Sequence, residues 1–253
     1  MKPLSANPAG PGDWLRPDWP APVGVKACVT TRAGGVSQAP FDSLNLGDHV
    51  EDDPVAVLEN RVRLTAALGC SPAWLRQVHG IQVVEADATG VAQADASWSA
   101  TPAIACAVMT ADCLPVLFCD RAGTRVAAAH AGWRGLANGV LEATLDALAV
   151  PACEVLVWLG PAIGPDAFEV GPEVRAAFVS QQPEAASAFR PSHNPLHSER
   201  LFADIYALAR LRLAARGVTA VYGGGYCTVS DPRFYSYRRA PRTGRFASLI
   251  WLD

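Results

Sequence analysis

Apolar and polar positions follow one another in short alternating runs and in helical spacings, predicting strands and helices in mixed order along the chain. VGVKACVTTR predicts a strand running into the turn AGGVS, where paired glycines permit a tight or left-handed backbone. FDSLNLGDHVEDD is polar and loop-like. Asp53 suits a helix N-cap and Pro54 the first helical position, so a helix is predicted from Pro54 to Leu68, stopped by Gly69. Strands follow around AWLRQVHGIQVVEA, AIACAVMTADCLPVLFCD and RVAAAH, the last two placed to pair across a turn at residues 121–124. Val140, Leu141, Leu145 and Leu148 mark one apolar face of a helix over 136–149. EVLVWLGPAIG reads as a buried strand, and a helix is expected over 172–179. Residues 181–199 look irregular. Leu201, Ile205, Leu208 and Leu211 outline a further helix ended by Gly217, and FASLIWL is a last strand.

The expected architecture is α+β, with helices layered on mixed sheets. The 253 residues are enough for one core without covalent staples, and we expect a single domain over 25–253 after an irregular segment, 1–24. Half the residues are hydrophobic, 18% are charged and the net charge is -3, which points away from a nucleic-acid partner and leaves small neutral or anionic ligands open. Seven scattered cysteines, an odd number set mostly in apolar runs, suit buried thiols in a reduced compartment. The start of the chain, rich in Pro and Gly, does not read as a secretory signal, and no stretch reads as a membrane span. The expectation is a cytoplasmic protein, with a monomer favoured.

His79 in RQVHG, Cys113 in TADCLP and His130 in AAHAG each stand near the end of an apolar strand, so neighbouring strands could present all three at one rim. Two imidazoles and a thiolate suit zinc, and three protein ligands leave a fourth tetrahedral position for water or substrate. Their spacing matches no local zinc knuckle, so ordinary core residues are the competing reading. A fourth ligand from Cys227 or His49 would make the site structural. GWRG leads into a helix, placing free N–H groups and Arg134 near His130, and TTRAGGVS offers Arg32 beside another glycine turn. Both are candidate anion pockets, against the plainer reading of simple turns with solvated arginines. Tyr235, Tyr237, Arg238 and Arg239 could stack on a flat polar ligand or form an aromatic core edge. Asp112 could orient a ligand or move a proton, although strand alternation would turn it to the opposite face from Cys113.

Together TTRAGGVS, SLNLGDHVEDDP, RQVHG, TADCLPV, AAHAGWRG, GPAIGPDAFEVG and YSYRRAPRTGR with LIWL closely resemble the bacterial laccase-domain family, also called the multicopper polyphenol oxidase or purine nucleoside phosphorylase family. The resemblance implies a single-domain fold similar to the catalytic domain of cytotoxic necrotizing factor, with zinc on His79, Cys113 and His130. It also implies phosphorolysis of adenosine, inosine, guanosine and methylthioadenosine, together with deamination of adenosine. The catalytic candidates are then Cys113, His130, His79 and Asp112, and the substrate or phosphate candidates Arg32, Asn45, Arg134, Tyr237 and Arg238. A related family role is peptidoglycan editing, the removal of L-serine from the UDP-MurNAc precursor by a zinc or Cys-His hydrolase. A non-catalytic zinc or nucleoside-binding module is the third reading. Copper oxidation fits poorly, because none of the five histidines forms a His-x-His pair. No Walker loop, nucleophile elbow, His-Glu-x-x-His helix or cytidine-deaminase motif occurs.

Overall fold

The computed structural model describes residues 14–192 and 199–253. Residues 1–13 of the segment expected to be irregular, and 193–198 of the second such stretch, lie outside them. From Trp14 onward the N-terminal segment is not wholly unstructured: Leu15 exchanges backbone hydrogen bonds of 2.9 and 2.8 Å with Val29.

In chain order the first elements are β1 (Val25–Val29), α1 (Pro54–Leu68), β2 (Ser71–Ala73), β3 (Leu75–Arg76), β4 (Val83–Glu85), β5 (Ala92–Gln93) and β6 (Ala96–Ser99). The centre of the chain supplies β7 (Ile104–Thr110), β8 (Leu114–Asp120), β9 (Val126–Ala131), α2 (Trp133–Asn138), α3 (Val140–Leu148) and β10 (Val155–Leu159). Then come β11 (Glu169–Val170), α4 (Pro172–Val179), β12 (Phe189–Pro191), β13 (Leu201–Ala203), α5 (Ile205–Ala215), β14 (Ala220–Gly223) and β15 (Phe246–Leu252). No helix among the described residues is long and apolar enough to cross a membrane.

Two mixed sheets dominate. One runs β1-β15-β7-β2 and the other β14-β10-β8-β9-β6-β4. They pack face to face through Val29, Cys106, Val108, Phe246 and Ile250 on one side and Leu117, Cys119, Ala128, Leu156 and Trp158 on the other. The intervening residues of the larger sheet, Val116, Phe118, Ala129, Val155 and Val157, face α3 and α5 through Leu141, Leu145 and Leu208. Ala107, Met109, Ala247 and Leu249 of the smaller sheet lie in one cluster with Leu64 of α1. The result is four layers, helix, sheet, sheet, helix. Central strands covered on both faces explain their unbroken apolar runs, among them EVLVWLGPAIG, which the sequence predicts to be a buried strand.

The expected α+β class is what the molecule adopts. Asp53 caps α1 by accepting from the Val55 N–H at 2.9 Å, and Gly69 closes it at φ 69°. The β8–β9 hairpin forms as expected, and Asp120 ties its turn by accepting from the Thr124 and Arg125 N–H groups. Three expectations need correction. The helix over 136–149 is two helices, because Gly139 adopts φ 104° and ends α2 before α3 begins. Leu201 belongs to β13 rather than to the helix, which starts at Ile205 after Asp204 accepts from the Tyr206 and Ala207 N–H groups. The stretch 181–199 is partly ordered, with a 3₁₀ turn over Pro183–Ala188 and then β12.

Candidate metal centre

The site forms where the chain crosses between sheets. β7 belongs to the smaller sheet and β8 to the larger, so residues 111–113 must carry the backbone from one to the other. Asp112 makes that corner at φ 99°, and its carboxylate accepts from the Thr228 hydroxyl at 2.5 Å and the Arg238 N–H at 2.7 Å. It thus ties two later loops to the corner, and Cys113 emerges beside it. His130 is the penultimate residue of β9 and is 3% exposed. His79 lies in the loop between β3 and β4, at φ 60°, rather than on a strand.

These three side chains converge. One ligand atom of each lies within 4.8 Å of the others, with Cys113 Sγ 3.8 Å from His79 Nε2 and the imidazole centroids 4.7 Å apart. Neither Cys227 nor His49 joins the cluster among the described residues. Gly132 permits the convergence: a Cβ there would stand 2.6 Å from His79 Cδ2 and 3.2 Å from Cys113 Sγ. Gly135 similarly lets α2 approach the Gly80 carbonyl. The glycines of GWRG therefore serve close approach, and the helix they open is only six residues long.

Asp95, which the sequence reading missed, organises the cluster. It is fully buried and accepts from the N–H groups of Val78 at 3.2 Å, His79 at 2.9 Å and Gly80 at 2.7 Å. Its Oδ1 also lies 2.8 Å from His130 Nδ1. That contact assigns the Nδ1 proton to the side facing Asp95 and leaves Nε2 for a ligand. Burial alone would raise the Asp95 pKa, but the His130 ring and these N–H donors outweigh it and hold the carboxylate below its ordinary range. Burial would likewise raise the Cys113 thiol, yet the charge of His130 and hydrogen bonds from His130 and His79 bring it down. His130 moves up in return, against its own burial, through Cys113 and Asp95. A depressed thiol between two imidazoles is the state in which sulfur ligates a metal.

A cavity of about 440 Å³ opens over the cluster, within the range that holds small molecules. Its apolar walls include Ile163, Phe168, Trp133 and Tyr237, and its cations are Arg134, Arg238 and Arg245. Of the predicted ligands, Asp112, Arg134, Tyr237 and Arg238 line this cavity. Arg32 does not: its guanidinium binds Asp42 at 2.9 Å and packs on the Tyr235 ring. Asn45 is also outside it, buried, with its amide shared among Gly47, Asp52 and the Arg245 N–H. Arg239, expected to be able to stack on a ligand, instead donates to the carbonyls of Thr228 and Phe234. Arg245 and Thr110 join the cavity wall unforeseen.

Fold and site define a class of α+β protein in which two stacked sheets meet at a carboxylate-anchored His-Cys-His cluster beneath a small-molecule cavity. The chain belongs to the multi-copper polyphenol oxidoreductase laccase family, whose model matches residues 26–253. It is 73% identical to "Purine nucleoside phosphorylase PA4543" of Pseudomonas aeruginosa over 95% of this chain and 98% of that one. Identity is 56% to "Purine nucleoside phosphorylase YfiH" of Escherichia coli, over 93% and 97%. The fold is similar to the crystal structure of Neisseria meningitidis protein NMB0706, with TM-score 0.90, 56% identity and coverage of 95% and 99%. YlmD from Geobacillus stearothermophilus gives TM-score 0.88 at 30% identity, over 95% and 96%.

Proposed function

We propose that this protein is a zinc-dependent purine nucleoside phosphorylase that also deaminates adenosine. The observation that carries the reading is the Asp95-anchored cluster of His79, Cys113 and His130 at the base of a cavity bearing both aromatic and guanidinium groups. The names of its relatives support purine nucleosides and phosphate as substrates. Two imidazoles and one thiolate suit zinc, and a multicopper centre would need further clusters than the one found among the described residues.

In phosphorolysis a phosphate oxygen bonds to the anomeric carbon of the pentose, while the bond from that carbon to the base nitrogen breaks. The base leaves with the electron pair and takes up the proton that the attacking hydrogen phosphate gives up. The cavity arginines hold the phosphate and offset its charge, and Phe168 and Tyr237 offer faces for the purine. Deamination replaces the amine of adenosine with a water oxygen and releases ammonia. His79, Cys113 and His130 would hold zinc, which would supply Lewis acidity and a water acidified to a pKa of about 7. Asp95 holds the His130 ring in one orientation throughout.

The test is chromatography of products from adenosine, with and without phosphate, using metal-quantified wild type and Cys113→Ala. Phosphate-dependent adenine and phosphate-independent inosine are expected from the wild type, and neither from the variant. Turnover persisting in metal-free Cys113→Ala would falsify the assignment. The depressed Cys113 thiol also favours a second reading, a Cys-His hydrolase removing L-serine from the UDP-MurNAc precursor. Release of serine by metal-free protein, abolished by iodoacetamide, would select that reading.

A further inference from the structure

The three cavity arginines are in different situations. Arg134 is exposed and stacks on the Trp133 ring, and Arg238 is exposed and donates to the Glu169 carbonyl at 3.1 Å. Arg245 is the least exposed of the three and has no carboxylate within ion-pair distance among the described residues. Its Nη1 donates to the carbonyls of Thr243 at 3.0 Å and Gly244 at 2.9 Å. No described residue accepts from its Nε or Nη2, the edge with which a guanidinium grips an oxyanion in a fork. Burying such a group without a direct ion pair is costly: burial holds its pKa below the ordinary guanidinium value, outweighing the opposing pull of Cys113 and Asp112, which lie beyond ion-pair distance.

The surroundings hold it there. The Asn45 side chain accepts from the Arg245 N–H at 2.8 Å. Gly47 leaves room for the arginine stem, since a Cβ at that position would meet Arg245 Cγ at 2.8 Å. A second, independent feature lies on the same wall. Thr110 is 2% exposed, lines the cavity, and its hydroxyl has no hydrogen-bond partner among the described residues. A buried hydroxyl without a partner is unfavourable, a half-buried cation without an ion pair more so, and one bound oxyanion satisfies both.

We propose that Arg245 and Thr110 form the phosphate-holding subsite of the cavity, with Asn45 and Gly47 positioning the guanidinium. That the anion is the phosphorolytic phosphate rests on the phosphorylase reading; that an oxyanion binds here does not. A tetrahedral oxyanion accepts from the free Nε/Nη2 edge of Arg245 and from the Thr110 hydroxyl, while Arg134 stands at the exposed rim.

The experiment is calorimetric titration of the zinc-loaded full chain with inorganic phosphate and, separately, with UDP, plus KM for phosphate and for adenosine. Arg245→Gln and Arg245→Lys are expected to weaken phosphate binding by about 10- to 100-fold, and Thr110→Val by roughly 3- to 10-fold. KM for adenosine should stay near wild type, and the surface control Arg175→Gln should bind phosphate normally. Lys keeps the charge and loses the fork, so it tests the geometry even where Gln fails to fold. Unchanged phosphate affinity in folded Arg245→Lys and Thr110→Val overturns the proposal. Binding of UDP but not of inorganic phosphate overturns it as well, in favour of a nucleotide-linked substrate. Should phosphate binding respond as expected while adenosine and phosphate give no adenine, the subsite stands and the phosphorylase reading falls.

Discussion

Asp95 has no exposed surface and remains a carboxylate because four donors face it, three from consecutive backbone N–H groups and one from His130. The same contacts fix the loop that carries His79 and the ring of His130, so one side chain sets two of the three cluster members. Replacing one oxygen with an NH₂ turns an acceptor into a donor pointed at donors. Asp95→Asn is therefore expected to lower zinc affinity by about 10- to 100-fold, measured by chelator competition, with the far-ultraviolet spectrum retained. Wild-type affinity in a folded variant would remove Asp95 from the site. The three cluster residues were legible as a chemical set through the family resemblance, since their strand-end positions alone left ordinary core residues as the competing reading. Asp95 was not, since its role arises from N–H groups at 78–80, distant in sequence. Arg32 beside its glycine turn looked like an anion site until Asp42 claimed its guanidinium.

At the scale of elements, a glycine decides the path of the chain between His130 and the outer helix layer. The apolar spacing from Leu136 to Leu148 reads as one helix because Val140, Leu141 and Leu145 share a face, and an internal Gly costs a helix only about 1 kcal/mol. That spacing carries no signature of a left-handed residue, so the break at Gly139 was invisible in it. The two conformations predict opposite signs for one substitution. In a continuous helix Gly139→Ala would stabilise by about 1 kcal/mol. At φ 104° it strains the backbone and should destabilise by about 1–2 kcal/mol, read as a lower urea midpoint at unchanged slope. A raised midpoint would restore the single helix. Elements whose ends are marked by caps, α1 above all, were legible to the residue, because Asp53, Pro54 and Gly69 each act within one turn.

For the whole molecule, the cluster is assembled from segments that the topology alone brings together. His79 follows β3, Cys113 sits on the crossover between the two sheets, and His130 stands one residue from the end of a strand of the larger one. A metal held by these three therefore bridges the loop, the crossover and the larger sheet, a set of contacts the unfolded chain lacks. Binding to the native state alone stabilises it by about 2.7 kcal/mol at a free concentration of 100 Kd. For a chain of this size that corresponds to a rise in Tm of about 5–10 °C. Zinc is expected to raise Tm by that amount in chelator-stripped wild type and to leave Cys113→Ala nearly unmoved. The variant matters because adventitious binding to surface His or Asp would shift both proteins alike. A shift confined to the wild type places the metal at the crossover, and equal shifts place it elsewhere. The class of fold could be read from periodicity, since buried central strands leave unbroken apolar runs. Which strand ends meet could not, because face-to-face packing of two sheets leaves no trace in the spacing of His79, Cys113 and His130.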